Sequence, residues 1–130
     1  MAGDRPTPGG PPVKRLALTS IVITMLSALH AHAAENRCGW VENPTPGNWW
    51  LTDADGQWSI MTQGGHEAAG MDLIGDISAG DYVATNGNYG HACGCMQVDT
   101  DGQSAIARIM SFRQLPLAKC ENDASLPAPG

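Results

Sequence analysis

Positive charge is scarce in this sequence. Only seven of its 130 residues are Lys or Arg, against 13 Asp or Glu, so the net charge is −6. Residues 34–130 contain four Lys or Arg and twelve Asp or Glu, a net charge of −8. Because an acidic chain repels phosphates and anionic membranes, we expect no binding to nucleic acid. The charge either attracts a cationic partner or only maintains solubility.

Long apolar runs are also missing, with one exception. Residues 16–29 are apolar apart from Thr and Ser, they follow Lys14 and Arg15, and they precede Ala-His-Ala at 31–33. A basic start, a short apolar stretch and a small-residue site predict a cleavable secretory signal, cleaved after Ala33. No second run reaches the roughly 18 to 20 residues of a membrane anchor. We therefore expect residues 1–33 to be a signal peptide and the rest to be periplasmic or secreted, without an anchor.

The chain contains four cysteines, all after the predicted signal: Cys38, Cys93, Cys95 and Cys120. An even number in an exported chain predicts a disulfide framework. Cys93 and Cys95 project to one side of a strand, and a bond between them would close too short a ring, so each is expected to pair elsewhere. The residues leave both remaining pairings open. The shorter return path favours Cys38 with Cys93 and Cys95 with Cys120.

No convincing amphipathic helix follows the signal, and the local patterns favour strands. Five strands are predicted, at 48–52, 57–62, 82–85, 91–98 and 104–112, separated by turns rich in Gly, Asn and Asp. Residues 43–47, with two prolines, and the glycine-rich residues 63–80 are predicted loops. The expected fold is mainly β, a small antiparallel meander or a partial barrel resembling the oligonucleotide-binding fold.

The predicted organisation is a disulfide-bridged β domain at 34–120 followed by a polar tail at 121–130, and we expect a monomer. The pattern D-x-D-G-Q occurs twice, at 53–57 and 99–103. A calcium loop needs a carboxylate about twelve residues from its start, and Gly64 and Met110 occupy those positions. Both repeats are therefore interpreted as plain hairpin turns.

Four tryptophans lie within residues 40–58, although the chain contains a single Phe. Trp49 and Trp50 are adjacent, so they face opposite sides of a strand and one of them could anchor a ligand with an apolar or sugar-like face. The predicted binding residues are Asn48, Trp49, Trp50, Trp58 and Tyr89. The alternative is that the sheet buries tryptophan on one side and the loop with Pro44 and Pro46 covers the other.

A metal site is one alternative function. His91, Cys93 and Cys95 alternate along a predicted strand and so share a face, which would suit copper. Oxidised cysteines provide no thiolate, so we assign no metal ligand and no cofactor.

A hydrolase is the other alternative. The serines lack a nucleophile-elbow context, and only four loop residues could form an acid–base pair: His66, Glu67, Asp72 and Asp76. Because polar loop residues are usually just solvated, we assign no catalytic residue.

Several motifs together resemble one known family. They are Arg-Cys-Gly-Trp at 37–40, Asn-Pro-Thr-Pro-Gly-Asn-Trp-Trp-Leu-Thr at 43–52, Met-Thr-Gln-Gly-Gly at 61–65, Thr-Asn-Gly-Asn-Tyr-Gly at 85–90, the C-x-C, and Leu-Pro-Leu at 115–117 before Cys120. Nearly all of the chain after residue 33 is similar to the small exported bacterial proteins catalogued as domain of unknown function 4087. The resemblance implies a periplasmic or secreted bacterial protein and supports the signal peptide. It assigns no activity, and His91 replaces an expected aromatic residue.

The function expected from these features is a non-enzymatic binding or inhibitor module of the bacterial envelope. Its acidic surface and its tryptophans would hold a basic protein or a glycan. A copper-binding protein and a hydrolase remain the two alternatives.

Overall fold

Strands make up most of the regular structure. The computed structural model describes residues 3–4, 9–12 and 34–130, so the predicted signal peptide lies largely outside the described residues. The strands are β1 (Glu35–Thr45), β2 (Asn48–Asp53), β3 (Gly56–Met61), β4 (Val83–Asn86), β5 (Tyr89–Thr100) and β6 (Ile106–Leu115). A short helix, α1 (Leu117–Glu121), follows them, and two 3-10 turns lie between β3 and β4, at Met71–Leu73 and Ile77–Ala79.

The six strands form one antiparallel sheet in the order β3-β2-β1-β5-β4, with β6 also paired to β5. Strand β5 is the longest, at 12 residues. It pairs with β1 along one side, and with β4 and then β6 along the other. The sheet is not closed into a barrel. The predicted mainly β, antiparallel fold class is confirmed.

Strand β1 is the element that the sequence patterns did not predict, and for this reason the sheet has six strands and not about five. Residues 34–37 look like a polar lead-in, and the prolines at 44 and 46 look like a loop. The strand nevertheless occupies the middle of the sheet, between β2 and β5. Pro44 is tolerated because the pairing of β1 with β2 shifts register between Glu42 and Thr45, and prolines in sheets favour such irregularities.

Each face of the sheet buries its own cluster of side chains. The main core consists of Val41, Leu51, Ile60, Ala68, Ile74, Ile77, Ala92, Met96, Val98, Ile106 and Ile109. The smaller cluster on the opposite face consists of Trp40, Cys93 and Cys120, with Leu115, Leu117 and Leu126 packed against it. Because side chains alternate along a strand, neighbouring residues of β1 such as Trp40 and Val41 contribute to different clusters.

The long segment between β3 and β4 is packed against β6. The Ala69 N–H donates to the Ala107 carbonyl at 3.0 Å, and the Ile109 N–H donates to the Ala69 carbonyl at 2.7 Å. Gln114 Nε2 donates to the Ile77 carbonyl at 2.9 Å. The predicted long loop is therefore tied down over the main core, to which it contributes three buried residues, Ala68, Ile74 and Ile77.

The disulfides join Cys38 to Cys95 and Cys93 to Cys120. The favoured pairing of Cys38 with Cys93 and Cys95 with Cys120 is wrong. The reason is the strand register, which places Cys38 of β1 directly opposite Cys95 of β5. Cys93 then faces the second cluster, where Cys120 at the end of α1 reaches it. The expectation that Cys93 and Cys95 do not bond to each other is confirmed.

We expect the bond between Cys38 and Cys95 to be reduced first. Cys38 is exposed, whereas Cys93 and Cys120 are 1% and 4% exposed, and exchange requires a thiolate to reach the sulfur. Brief treatment of the folded protein with dithiothreitol, alkylation and peptide mass spectrometry should label Cys38 and Cys95 before the other two. Earlier labelling of Cys93 and Cys120 would contradict this order, and guanidinium-unfolded protein is the control.

Gly39 is a second point to test, because a Cβ at this position of β1 would collide with the backbone carbonyl oxygen of Thr52. Backbone of a paired strand cannot give way easily, so Gly39→Ala should lower the free energy of unfolding by about 3 kcal/mol. At Gly65 the nearest neighbour of an added Cβ is the Thr62 Cβ at 3.7 Å. Gly65→Ala should therefore change stability by less than about 0.5 kcal/mol. Urea denaturation followed by tryptophan fluorescence measures both values, and equal losses would refute the steric argument.

Candidate functional site

The second face of the sheet carries a buried carboxylate. Glu42 lies on β1 opposite Trp50 of β2 and His91 of β5, and only 4% of it is exposed. Its Oε2 accepts hydrogen bonds from Trp50 Nε1 at 2.6 Å and Thr52 Oγ1 at 2.7 Å. Its Oε1 accepts one from the Gly130 N–H at 2.9 Å. A buried charge is costly unless it is hydrogen-bonded, and these three donors satisfy it.

Strand alternation places all the side chains of this site on one face. Trp40 and Glu42 are two residues apart on β1, and Trp50 and Thr52 stand opposite them in register on β2. On the other side of β1, His91 of β5 is the register partner of Glu42. Two consecutive strands, β1 and β2, and the distant strand β5 therefore supply one compact polar group beside the Trp40 cluster.

His91 connects this carboxylate to the aromatic cluster. Its ring lies edge-on to Trp40, with centroids 5.1 Å apart and planes at 83°. Desolvation by burial lowers the pKa of His91 below its ordinary value of 6.5, and the negative charge of Glu42 offsets part of that effect. The folded protein therefore favours the neutral imidazole.

Residues 121–130 fold back over the same face. Leu126 packs against the Trp40 cluster, and the Leu126 N–H donates to the Asp123 carbonyl at 3.1 Å. The Asp123 carboxylate accepts from the hydroxyl and the N–H of Ser125, and these bonds lower its pKa. Trp40 and the segment together surround a hollow of about 360 Å³.

A second charged group lies near the start of β1. Arg37 donates to Asp53 Oδ2 at 2.8 Å and to Asp55 Oδ2 at 3.1 Å, and it pairs with Glu35. Its guanidinium lies 3.9 Å from the centroid of the Trp58 ring, and Trp58 Nε1 donates to Asp53 Oδ1 at 3.1 Å. The first D-x-D-G turn is therefore committed to an internal ion pair.

The second D-x-D-G turn is organised by backbone hydrogen bonds. The N–H groups of Gln103, Ser104 and Ala105 donate to Asp101 Oδ1 at 2.8 to 3.0 Å. These bonds lower the pKa of Asp101. Within the described ranges, no group of three His, Cys, Asp or Glu is placed to hold a metal ion.

Comparison with known proteins places this arrangement in a family. Residues 32–127 match the model of a family described as protein of unknown function, DUF4087. The chain belongs to this family. No curated protein and no solved structure matches it. The match spans the whole sheet, including Glu42, Trp50 and Thr52, and it ends three residues before Gly130.

The tryptophans of this DUF4087 protein do not form one surface. Trp49 and Trp58 pack against the main core, whereas Trp50 turns to the opposite face and bonds to Glu42. Trp40 is buried. In the part of the chain that the structure describes, the exposed large hydrophobic residues are Leu73, at 48%, and Met110, at 37%.

The other two predicted binding residues are the first residues of β2 and β5, each directly after a turn. Asn48 Nδ2 donates to Thr45 Oγ1 at 2.7 Å, and its Oδ1 accepts from the Gln63 N–H at 3.0 Å, so its side chain is used to hold the β1–β2 turn. Tyr89 is paired with Asn86 in the β4–β5 hairpin. The five residues predicted to bind a ligand are thus distributed over both faces of the sheet and the starts of two strands.

The copper alternative lacks its sulfur ligands. Cys93 and Cys95 share a face with His91, as predicted, but both are in disulfides. No cysteine among the described residues is free. Since the thiolate is the form that binds metal, only the imidazole is left to act as a ligand.

The four acid–base candidates lie in the segment between β3 and β4. Glu67 and Asp72 line one open hollow. His66 Nε2 is instead 2.8 Å from the Ile106 carbonyl, and Asp76 accepts from the N–H and the hydroxyl of Ser78. These local bonds leave the histidine without a carboxylate partner among the four.

Neither the DUF4087 motifs nor the candidate residues of the loops predicted a role for Glu42. The available signal was the alternation of Trp40 and Glu42 with the buried Val41, which is typical of a strand with two buried faces. It was hidden by the prolines that follow at 44 and 46. The hydrogen bond from Gly130 to Glu42 has no local sequence signal, because it depends on how residues 121–130 fold back over the sheet.

One consequence of the His91 environment is a pH-dependent stability. The unfolded chain binds a proton to this histidine near pH 6.5, whereas the folded state binds it only at lower pH. The free energy of unfolding should therefore decrease as the pH falls below about 6.5. His91→Phe keeps an aromatic ring beside Trp40 and removes the titration.

Urea unfolding at about pH 7.5 and about pH 5.5 measures this effect. The loss of stability between the two values should be smaller in H91F than in the unmodified protein, and His66→Gln, outside this face, serves as the control. An unchanged pH dependence in H91F would show that other groups are responsible.

Proposed function

We propose that this DUF4087 protein is an exported, non-enzymatic binding protein that holds a basic protein in the bacterial envelope. One observation carries the proposal. Between Arg37 and Arg108 the chain contains no Lys or Arg but nine Asp or Glu. This long anionic stretch includes most of the sheet and the whole segment between β3 and β4.

Not all nine carboxylates lie on the surface of the folded protein. Glu42 and Asp53 are buried, and Asp55 pairs with Arg37. The other six are at least partly exposed, and four of them lie in the segment between β3 and β4: Glu67, Asp72, Asp76 and Asp81. The negative charge is therefore concentrated on that segment.

The segment also has the rigidity that favours binding. It is hydrogen-bonded to β6 through Ala69 and Gln114, so its order does not have to be created on association. Leu73, which is 48% exposed, follows Asp72 directly and offers an apolar contact among the charges. Charge complementarity accelerates the encounter with a cationic protein and favours it over anionic competitors.

The disulfides support the exported location in this proposal. All four cysteines of the sequence are bonded in two pairs, which is typical of chains that mature in an oxidising compartment. No helix in the described ranges is long and apolar enough to cross a membrane. The predicted signal peptide supplies the route.

A glycan is a weaker choice of partner than a basic protein. Sugars usually stack on exposed aromatic faces, and here Trp40 is buried, Trp49 and Trp58 pack on the main core, and Trp50 is bonded to Glu42. The acidic segment needs no such platform.

The proposal is tested with the paired variant Glu67→Gln/Asp72→Asn. Cytochrome c serves as a basic probe protein, and its dissociation constant is measured by calorimetry at low and at physiological salt. Removing these two negative charges should weaken the binding of cytochrome c about tenfold at low salt. Raising the salt concentration should also weaken its binding to the unmodified protein. Capture of basic proteins from periplasmic extract should decrease in parallel.

The matched control is Glu35→Gln/Asp99→Asn, which removes the same net charge elsewhere. It should change the dissociation constant by less than about twofold. An equal loss in both paired variants would reduce the effect to net charge alone, and the proposal would fail. It would also fail if the unmodified protein did not bind the basic probe at low salt.

A further inference from the structure

The buried carboxylate of Glu42 is hydrogen-bonded but has no cationic partner among the residues that the structure describes. Its three donors are an indole N–H, a hydroxyl and a backbone N–H, all of them neutral. The ion pairs of the described residues all involve Arg37, near the start of β1. The facing titratable group, His91, favours its neutral form. A cation at this point would therefore compensate a charge that is now stabilised by dipoles alone.

The two oxygens of Glu42 differ in what they could accept. Oε2 is occupied by Trp50 and Thr52, which belong to the sheet itself. Within the described part of the chain, Oε1 accepts only from Gly130, in the segment at 127–130. Once Gly130 is displaced, Oε1 alone would be open to a ligand, and a single oxygen suits the point charge of an ammonium group better than the forked guanidinium, which binds both oxygens of a carboxylate.

Residues 127–130, which we name the strap, run from a hollow beside Trp40 to Glu42 Oε1, with which Gly130 forms a hydrogen bond. The strap reads Pro-Ala-Pro-Gly, and its two prolines have no N–H, so few of its groups can bond to the sheet. The Gly130 N–H supplies its bond to Glu42. Pro127, Ala128 and Pro129 line the hollow of about 360 Å³ against Trp40, a size in the range of small-molecule sites.

We propose that Glu42 is the recognition site for a primary amine, such as a lysine side chain of the basic partner, and that the strap occupies the site until the amine displaces it. The source of the amine rests on the proposed function above. The ammonium replaces the neutral Gly130 donor by a charge-assisted bond to Oε1.

The strap allows a test that leaves the chain length unchanged. Gly130→Pro removes the N–H that bonds to Glu42, whereas the reference variant Gly130→Ala keeps it, with no atom within 4 Å of the added Cβ. The probe is Nα-acetyl-lysine amide, and its neutral counterpart is Nα-acetyl-norleucine amide, which has the same aliphatic stem. Binding is followed by tryptophan fluorescence and by the NMR signal of the Trp50 indole N–H.

The lysine probe should bind about tenfold more tightly to G130P than to G130A, the change expected when one hydrogen bond to a carboxylate no longer competes. The norleucine probe should show at least about tenfold weaker binding to G130P. Adding Glu42→Gln to G130P should abolish the preference for the lysine probe. Equal affinities of the two variants for it, or equal binding of the two probes, would overturn the proposal. The comparison of probes stays decisive even if E42Q fails to fold.

This result is separable from that of the acidic segment. Glu67→Gln/Asp72→Asn changes no atom of the Glu42 site, so its affinity for the lysine probe should stay within about twofold. If cytochrome c binds through the acidic segment but G130P gains no affinity for the lysine probe, the amine site is wrong and the proposed function stands. If G130P gains affinity for the lysine probe but the protein does not bind cytochrome c, the proposed function is wrong and the amine site stands.

Discussion

The antiparallel pairing of β1 with β5 is the contact on which the rest of the structure depends. It runs without a register shift from Glu35 opposite Val98 to Asn43 opposite Gly90. Because a slip of one residue would exchange the two faces of both strands, this register decides which side chains enter the main core. It also sets Cys38 against Cys95 and His91 against Glu42, so one disulfide and the carboxylate site are consequences of the same pairing.

A sheet with two buried faces needs two covers, and the covers differ in kind. The main core is closed by the segment between β3 and β4, which is hydrogen-bonded to β6. The opposite face is closed by α1 and residues 121–130, held by the Cys93–Cys120 bond and by Leu126. Beyond Leu126 the attachment is sparse, and segments with few buried contacts open at low cost. The strap is the natural place for an exchangeable contact.

Acidic residues have two roles in this protein. Glu42 and Asp53 are both buried, and each accepts a hydrogen bond from a tryptophan N–H. Asp53 has the charge of Arg37 as well, whereas Glu42 has neutral donors. Of the remaining carboxylates in the described residues, Glu35 and Asp55 pair with Arg37, and the others form no ion pair there. A count of charges does not distinguish these roles, which follow from burial.

The amino-acid sequence by itself determined the local features: two D-x-D-G turns, the Asn86-Gly87 hairpin, the opposite orientations of Trp49 and Trp50, and bonds from Cys93 and Cys95 to distant partners. Each depends on residues close in the chain or on simple strand geometry. Only the tertiary structure decided that residues 35–45 form a strand, that Cys38 bonds to Cys95, and that Glu42 meets Gly130. The disulfide and the hydrogen bond join residues 57 and 88 positions apart. Both contacts depend on burial and strand register across the whole sheet, which no local pattern encodes.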